Sequence, residues 1–581
     1  MSFLSRIMVV KSKAHFSAGG NNHPGDLGRP FEGTRKRTSN QAKSRVAIVI
    51  ASFTAVYCII GGRLVQYGLA QPEMVSSIGR ADNLMASRPD ILDRNGEILA
   101  TDIRTVSLYA EPHKIVDADE AVEQLSTVLP SLNVADIYNK LKSPSRFQWL
   151  RRQLTPKQQS EILALGIPGI GFRPEKRRFY PGGATASHIV GHVNVDNRGI
   201  AGMERWIDNQ GLADLAAIGM TSDAKLEPVK LSIDLRVQNI LRDVVVDAMT
   251  KFRSIAAGGV VMDVTTGEIL AMVSYPDYDP NKPADGAKEG WMNRMSNGTF
   301  EMGSTFKSFT TAMALDSGKV KLTDSFDATN PIRIGGFTIK DFHGKRRVLT
   351  VPEIFQYSSN IGTAKMADLV GIEGHKEFLT RIGLLTRMQT ELPEVKMPSQ
   401  PREWKKINSI TISFGHGVST TPLQTAVAGA ALLNGGNLIE PTFLPRTPEQ
   451  AQAASTKVIK QSTSDDMRFL FRWNGVNGSG RNARVPGFNV GGKTGTADKV
   501  VNGRYSNDAN FNAFLAGFPI DKPRYVVLTF IDEPKTDKGN GAALAGNTAA
   551  PMVHDIISRS APLLGVEPKF GEDGSALLVS Y

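Results

Sequence analysis

Apolar residues follow three different patterns along this chain. From Val46 to Gly62 they run without a charged residue, and Leu64, Val65 and Tyr67 carry the run past Arg63. At about 1.5 Å per residue, roughly twenty residues cross a bilayer core of about 30 Å, so the pattern predicts a membrane-spanning helix over 46–67. Short apolar runs broken by turn residues predict hairpins. One covers Arg88–Ala100 around Asn95-Gly96, and another joins Gly259–Val264 to Glu268–Val273 through Thr265-Thr266-Gly267. Helical spacing in Ala121–Leu125 and Lys157–Leu165 predicts a mainly helical stretch over 116–165, and the Leu231–Gln238 segment is followed by an amphipathic helix that runs to about Lys251. Residues 310–440 read as helices and loops. Strands are predicted at Phe488–Thr496, Phe511–Gly517 and Tyr525–Asp532, then a helix at Ala549–Leu564. Strands at both ends of this unit with helices between them predict an α/β domain containing an antiparallel sheet.

Composition agrees with several folded units: 581 residues, 41% hydrophobic and 22% charged. The formal net charge of +11 needs no nucleic-acid partner, because much of it precedes the apolar run, at Lys11, Lys13, Arg29, Arg35, Lys36, Arg37, Lys43 and Arg45. A basic segment there places the N-terminus in the cytoplasm and everything after about residue 70 outside it. The run starts too late, and is too long, for a cleaved signal peptide, so an uncleaved anchor is expected. Residues 1–45 have no periodicity and are expected to be a disordered cytoplasmic tail. The composition break between Gly211 and Lys230 divides the exported part into units at 68–225 and 226–565, with a tail at 566–581. The sole cysteine, Cys58, lies in the span, which excludes thiol catalysis and intramolecular disulfides outside the membrane. His188 and His192 sit in a strand-like stretch and are read as structural rather than as metal ligands.

The candidate chemistry begins at Ser304. Ser304 and Lys307 share one face of a predicted buried helix in which Phe306, Phe309 and Met313 recur and Asp316-Ser317-Gly318 supplies the stop. Their spacing lets hydroxyl and amine approach without help from another segment. S-x-x-K alone is weak, since Ser222-Asp223-Ala224-Lys225 also matches and a serine N-cap explains many such cases. The order changes the reading: Ser358-Ser359-Asn360 follows, then Lys493-Thr494-Gly495-Thr496 on a predicted strand, which together match the serine acyl-transferase set. Ser304 is then the nucleophile and Lys307 the base. A lysine of ordinary pKa is almost wholly protonated at neutral pH, and bringing it to neutrality costs about 4 kcal/mol, which burial and the Lys493 charge can impose. Ser358 is expected to relay protons between Lys307, Lys493 and the leaving amine, and Asn360 to hold the substrate amide and orient Lys307. Thr494 and Thr496 are expected to bind a terminal carboxylate, Gly495 to allow close backbone approach, and the N–H groups of Ser304 and Thr496 to form an oxyanion hole.

These motifs resemble those of the class B penicillin-binding proteins. The likeness extends to Arg88–Gly96 and Arg178–Glu204 of the preceding domain, to Ser413–Gly417 with Thr421–Gln424, and to Asn502–Tyr505 and Ile531–Pro534, which resemble the division-specific type. The resemblance implies a penicillin-binding-protein/β-lactamase-like transpeptidase domain behind an elongated α+β pedestal and one transmembrane helix. It implies a single-pass protein of the bacterial inner membrane with a periplasmic catalytic domain. The activity implied is D,D-transpeptidation of peptidoglycan stem peptides on lipid II-derived strands, with β-lactams acylating Ser304. A SEDS-family glycosyltransferase and other divisome membrane proteins are the implied partners, and no metal or organic cofactor is implied. An elongation-type enzyme and a division scaffold with a vestigial site are the alternatives. Pro89, Met302 and Ser308 depart from the family pattern, and Gly541–Pro551 follows it loosely.

Overall fold

The computed structural model describes residues 47, 50–58, 60–62, 88–211, 226–284, 288, 291–501, 504–535 and 543–570. The expected tail at 1–45, Ser222, Asn502-Gly503, Gly541 and residues 571–581 lie outside the described residues, as does part of the 46–67 span. Residues 50–58 are helical and expose Ile50, Phe53, Val56 and Tyr57. Among the described residues, no helix is long and apolar enough to cross a membrane.

After Arg88 the chain forms the hairpin read from Asn95-Gly96, in which β1 (Ile91–Leu92) pairs antiparallel with β2 (Ile98–Ala110). Gly96 takes a φ of 94°, which glycine adopts without strain. Strands β3 (Gln148–Leu154) and β4 (Ile170–Phe179) flank β2, so the stretch 116–165 is not wholly helical as its spacing suggests. Helices Ala118–Val128 and Val134–Leu141 precede β3, and Pro156–Ala164 follows it. Leu108, Val122, Leu125, Ile137, Leu150 and Ile162 close a small core under these elements. β5 (Val229–Lys230) returns to pair parallel with β1, tying this domain to the next.

A buried charge network holds the first domain together. Arg88 and Arg178, 4% and 3% exposed, both reach Glu204, which is fully buried. Arg88 Nε donates to Glu204 Oε2 at 2.8 Å and Arg178 Nε to Oε1 at 2.6 Å. Arg88 also pairs with Asp208, and Arg178 with Asp102 at 3.2 Å. Charged groups this deep require such pairing, because an ion taken from water without a partner costs several kcal/mol.

His188 lies on a short helix, Ser187–Val190, rather than in a strand. Its Nε2 meets the Trp291 carbonyl at 3.1 Å, His192 Nδ1 meets the Tyr278 hydroxyl at 3.0 Å, and both rings stand edge-on to Tyr278. Both imidazoles therefore fasten the first domain to the second.

The second domain is built on a five-stranded antiparallel sheet. α1 (Leu235–Phe252) precedes β6 (Ala256–Asp263) and β7 (Ile269–Tyr275). Strands β8 (Gly491–Val501), β9 (Arg504–Phe518) and β10 (Tyr525–Asp532) come last, giving the spatial order β8-β9-β10-β6-β7. β10 is buried along its whole length, so both faces must be covered. Tyr525, Val527 and Ile531 pack under α1 and the C-terminal helix Ala549–Ser560, while Val526, Leu528 and Phe530 pack on the opposite side. That opposite layer contains α2 (Phe306–Asp316), every residue of which is buried.

Three glycines let α2 meet the edge strand β8. A Cβ on Gly495 would stand 2.2 Å from the Met302 carbonyl oxygen and 2.9 Å from Thr305 N. A Cβ on Gly303, whose φ is 50°, would stand 2.5 Å from Thr496 O, and one on Gly415 would stand 1.9 Å from Gly303 O. The turn before α2, strand β8 and the loop at Gly415 thus touch backbone to backbone.

Two outcomes follow from these contacts. Arg178→Met strands buried carboxylates and should cost about 3–5 kcal/mol in urea denaturation, with amide exchange rising along β2 and β4. A stability within 1 kcal/mol of the parent would show the network to be dispensable. Gly495→Ala forces β8 off the turn and should cost about 1–3 kcal/mol, read as a fall in the midpoint of the same denaturation.

Candidate active site

Ser304 sits in the 3₁₀ turn Gly303–Thr305 that leads into α2. It is half-buried, and its hydroxyl makes no hydrogen bond with another described residue. Lys307 follows on the first turn of α2 and is 1% exposed. The expected bond between the two is absent: Lys307 Nζ instead donates to Ser358 O at 2.5 Å and to Ser358 Oγ at 3.0 Å. The ammonium is drawn away because a buried amine needs acceptors and Ser358 offers two.

Ser358 ends α3 (Val351–Tyr357) in the left-handed conformation, with φ 54° and ψ 45°. A residue with a side chain rarely takes this conformation, which costs about 1 kcal/mol or more. It is held by the last turn of α3, where Ser358 N–H donates to the Ile354 and Phe355 carbonyls. The result sets Oγ between two amines, since Lys493 Nζ also donates to it at 3.0 Å. Lys493 lies on β8, is fully buried, and donates to Thr494 O at 3.4 Å. Ser304, Lys307, Ser358 and Lys493 are therefore brought together from three distant segments.

Burial dominates the electrostatics. Desolvation holds Lys307 well below the usual amine range, the Lys493 charge lowers it further, and Asp341 opposes both. Desolvation alone brings Lys493 down to about 7. Lys307 thus gives up its proton more readily while Lys493 carries charge.

No hydrogen bond joins Asn360 to Lys307. It opens α4 (Asn360–Val370), and its Nδ2 donates to the Lys340 carbonyl at 2.8 Å. The neighbouring Asp341 accepts from Ser359 Oγ at 2.8 Å and from Ile361 N at 2.9 Å, so this acidic side chain pins the N-terminus of α4. Both contacts come from a loop that no motif marked.

On β8, the Thr494 hydroxyl meets Ser479 Oγ at 2.6 Å, and Thr496 Oγ1 accepts from Ala545 N at 3.2 Å. Ser479 carried no sequence signal. It is set by Asn474, near the end of helix Gln461–Asn477, whose Nδ2 donates to Gly492 O at 2.7 Å and whose Oδ1 accepts from Ser479 N at 3.3 Å. Gly495 does allow a close approach, and the backbone it admits is that of Met302–Thr305.

Glu301 borders the nucleophile turn. Its Oε1 accepts from Gly417 N at 2.8 Å and from the Tyr505 hydroxyl at 3.2 Å, and burial raises its pKa. His416 stands against Tyr505 with centroids 5.6 Å apart, and burial lowers its imidazole to about 4. Among the described residues, no cluster of three or more His, Cys, Asp or Glu side chains is arranged to hold a metal ion.

The comparisons with known proteins follow the same division of the chain. Residues 257–558 match the model of the penicillin binding protein transpeptidase domain, and residues 83–208 match the penicillin-binding protein dimerisation domain. The chain is 37% identical to the probable peptidoglycan D,D-transpeptidase FtsI of Caulobacter vibrioides, over 94% of this chain and 92% of that protein. It is 33% identical to the probable peptidoglycan D,D-transpeptidase PenA of Neisseria meningitidis, over 91% and 94%. Against the peptidoglycan D,D-transpeptidase FtsI of Escherichia coli K12 it is 29% identical, over 90% and 92%. The chain therefore belongs to the penicillin-binding protein family, as a class B member that joins a dimerisation domain to a transpeptidase domain.

Proposed function

We propose that this chain is a septal peptidoglycan D,D-transpeptidase whose nucleophile is Ser304. The observation that carries the reading is one hydroxyl, Ser358 Oγ, held 3.0 Å from each of two buried lysines, one of them a helical turn after Ser304. Ser304 Oγ attacks the carbonyl carbon of the penultimate residue of a D-Ala-D-Ala stem, and its proton passes to neutral Lys307. The C–N bond to the terminal D-Ala breaks, and Ser358 relays the proton from Lys307 to the departing amine. A second stem-peptide amine then attacks the acyl-enzyme, forms the crosslink and restores the Ser304 hydroxyl. A β-lactam enters the first half of this sequence through its ring amide and leaves Ser304 acylated.

Two further features support these roles. The Thr496 carbonyl faces Gly303, and in a strand the N–H and C=O of one residue project to the same side. Thr496 N–H therefore faces the Ser304 turn, where both residues' N–H groups serve as oxyanion donors; losing one such donor typically costs about 10²–10³ in rate. Lys493, with the Thr494 and Thr496 hydroxyls, receives the substrate carboxylate, which displaces the contacts to Ser479 and Ala545. Asn360 holds the substrate amide rather than Lys307.

The catalytic unit extends over 226–565 and the pedestal over 68–225. The 46–67 run, uncharged apart from Arg63 and preceded by a basic segment, supports a single inner-membrane anchor with the N-terminus in the cytoplasm. A SEDS-family glycosyltransferase and other divisome membrane proteins are the proposed partners of the pedestal.

Crosslinking of polymerised lipid II by the full chain should fall to background in Ser304→Ala, and peptide mapping should place a penicillin adduct on Ser304. Equal crosslinking by both proteins defeats the reading. Acylation by penicillin should follow a bell-shaped pH profile. It rises as the depressed Lys307 loses its proton and falls as Lys493 loses its own near 7. Because the Lys493 charge lowers Lys307, Lys493→Met should move the rising limb to higher pH. A limb that stays in place shows that Lys307 is not the base.

A further inference from the structure

Resting on the transpeptidase reading, we infer that the loop 340–347 selects stem peptides carrying free side-chain carboxylates over stems in which those carboxylates are amidated. The loop carries Lys340, Lys345, Arg346 and Arg347 against the single acid Asp341. Residues 342–347 are all exposed, as is Lys340.

Both ends of this loop are seated on the segment that bears Ser358 and Asn360. At one end, Lys340 O receives Asn360 Nδ2, and Asp341 is committed to Ser359 Oγ and Ile361 N. At the other, Lys345 Nζ lies 4.6 Å from the centre of the Tyr357 ring, and Arg347 makes a two-pronged pair with Glu353 at 2.6 and 3.1 Å. The two nearby acids are thus already engaged. Lys340 and Arg346 have no hydrogen bond or ion pair from their side chains to another described residue. Arg346 has a φ of 52°, so the chain turns at the loop's most basic stretch instead of continuing extended.

The loop therefore presents uncompensated positive charge beside the residues proposed to hold the substrate amide. Neutral or amidated side chains gain nothing from it, whereas each carboxylate that reaches Lys340 or Arg346 gains a solvent-exposed ion pair. Two such pairs give a preference of roughly three- to tenfold, which salt weakens.

The test uses the full chain in detergent micelles with two glycan strands that differ only in free or amidated stem carboxylates. Wild type should show a KM roughly three- to tenfold lower for the carboxylated strand at low salt, with similar kcat for both. Lys340→Glu with Arg346→Glu should abolish or reverse that preference, while benzylpenicillin acylation of Ser304 keeps its rate. Lys340→Gln with Arg346→Gln, and a salt titration of wild type, give the same reading if charge reversal impairs folding. Equal KM values in wild type overturn the inference, as does a preference that persists in a double variant still acylated by penicillin. Failure of wild type to be acylated at Ser304 removes the transpeptidase reading and this inference together. Normal acylation without a charge preference removes the inference alone.

Discussion

Two ammonium groups taken out of water beside one hydroxyl set the terms for the rest of this protein. An isolated buried cation is so unfavourable that it neutralises instead, and here burial, more than any neighbouring charge, depresses Lys307 and Lys493. The pair differs because Lys307 also feels the charge of its neighbour, whereas burial alone lowers Lys493. Ser358 stands between them, and it reaches its place in a strained backbone conformation at the end of α3.

The sheet and α2 deliver those groups through contacts that leave no room for a methyl group. Gly303, Gly415 and Gly495 each face the carbonyl oxygen of another segment, so the nucleophile turn is located by three backbones rather than by side-chain packing. Beneath it, β10 is apolar on both faces and α2 is buried on all sides, which fixes the turn from below. Rigid elements thus position the nucleophile, while the loops around Asn360 and Ser479 supply its surroundings.

The parts of this arrangement with strong local signals were legible in the sequence. Ser304, Lys307, Ser358 and Lys493 sit in ordered motifs, the hairpins at Asn95-Gly96 and Gly267 carry turn residues, and the late strands are apolar runs of strand length. What escaped depends on contacts remote in sequence. Asn360 turns to the Lys340 carbonyl because the loop before β-strand residues Val348–Thr350 happens to lie there, and nothing in a three-residue motif encodes that. Ser479 is an unremarkable serine until Asn474 holds it against Thr494. β3 was hidden because Trp149-Leu150-Arg151-Arg152 mixes long amphipathic side chains whose stems pack in either periodicity. Asp102 and Asp208 carry no sequence signal, and only folding shows that they complete a buried network around Glu204.

That network has a mechanical consequence. Arg88 is the first described residue after the segment that includes the apolar run, and it is clamped to Glu204 and Asp208 on the helix Gly202–Asn209. The same helix begins at Gly202, whose N–H lies 3.3 Å from both carboxylate oxygens of Glu394 in the second domain. Tension arriving along the chain ahead of Arg88 is therefore borne by buried ion pairs and one short helix before it reaches any strand of the catalytic sheet. Arg88 N–H also donates to Asp102 on β2 at 2.9 Å, so the hairpin shares the load with the joint between the two domains.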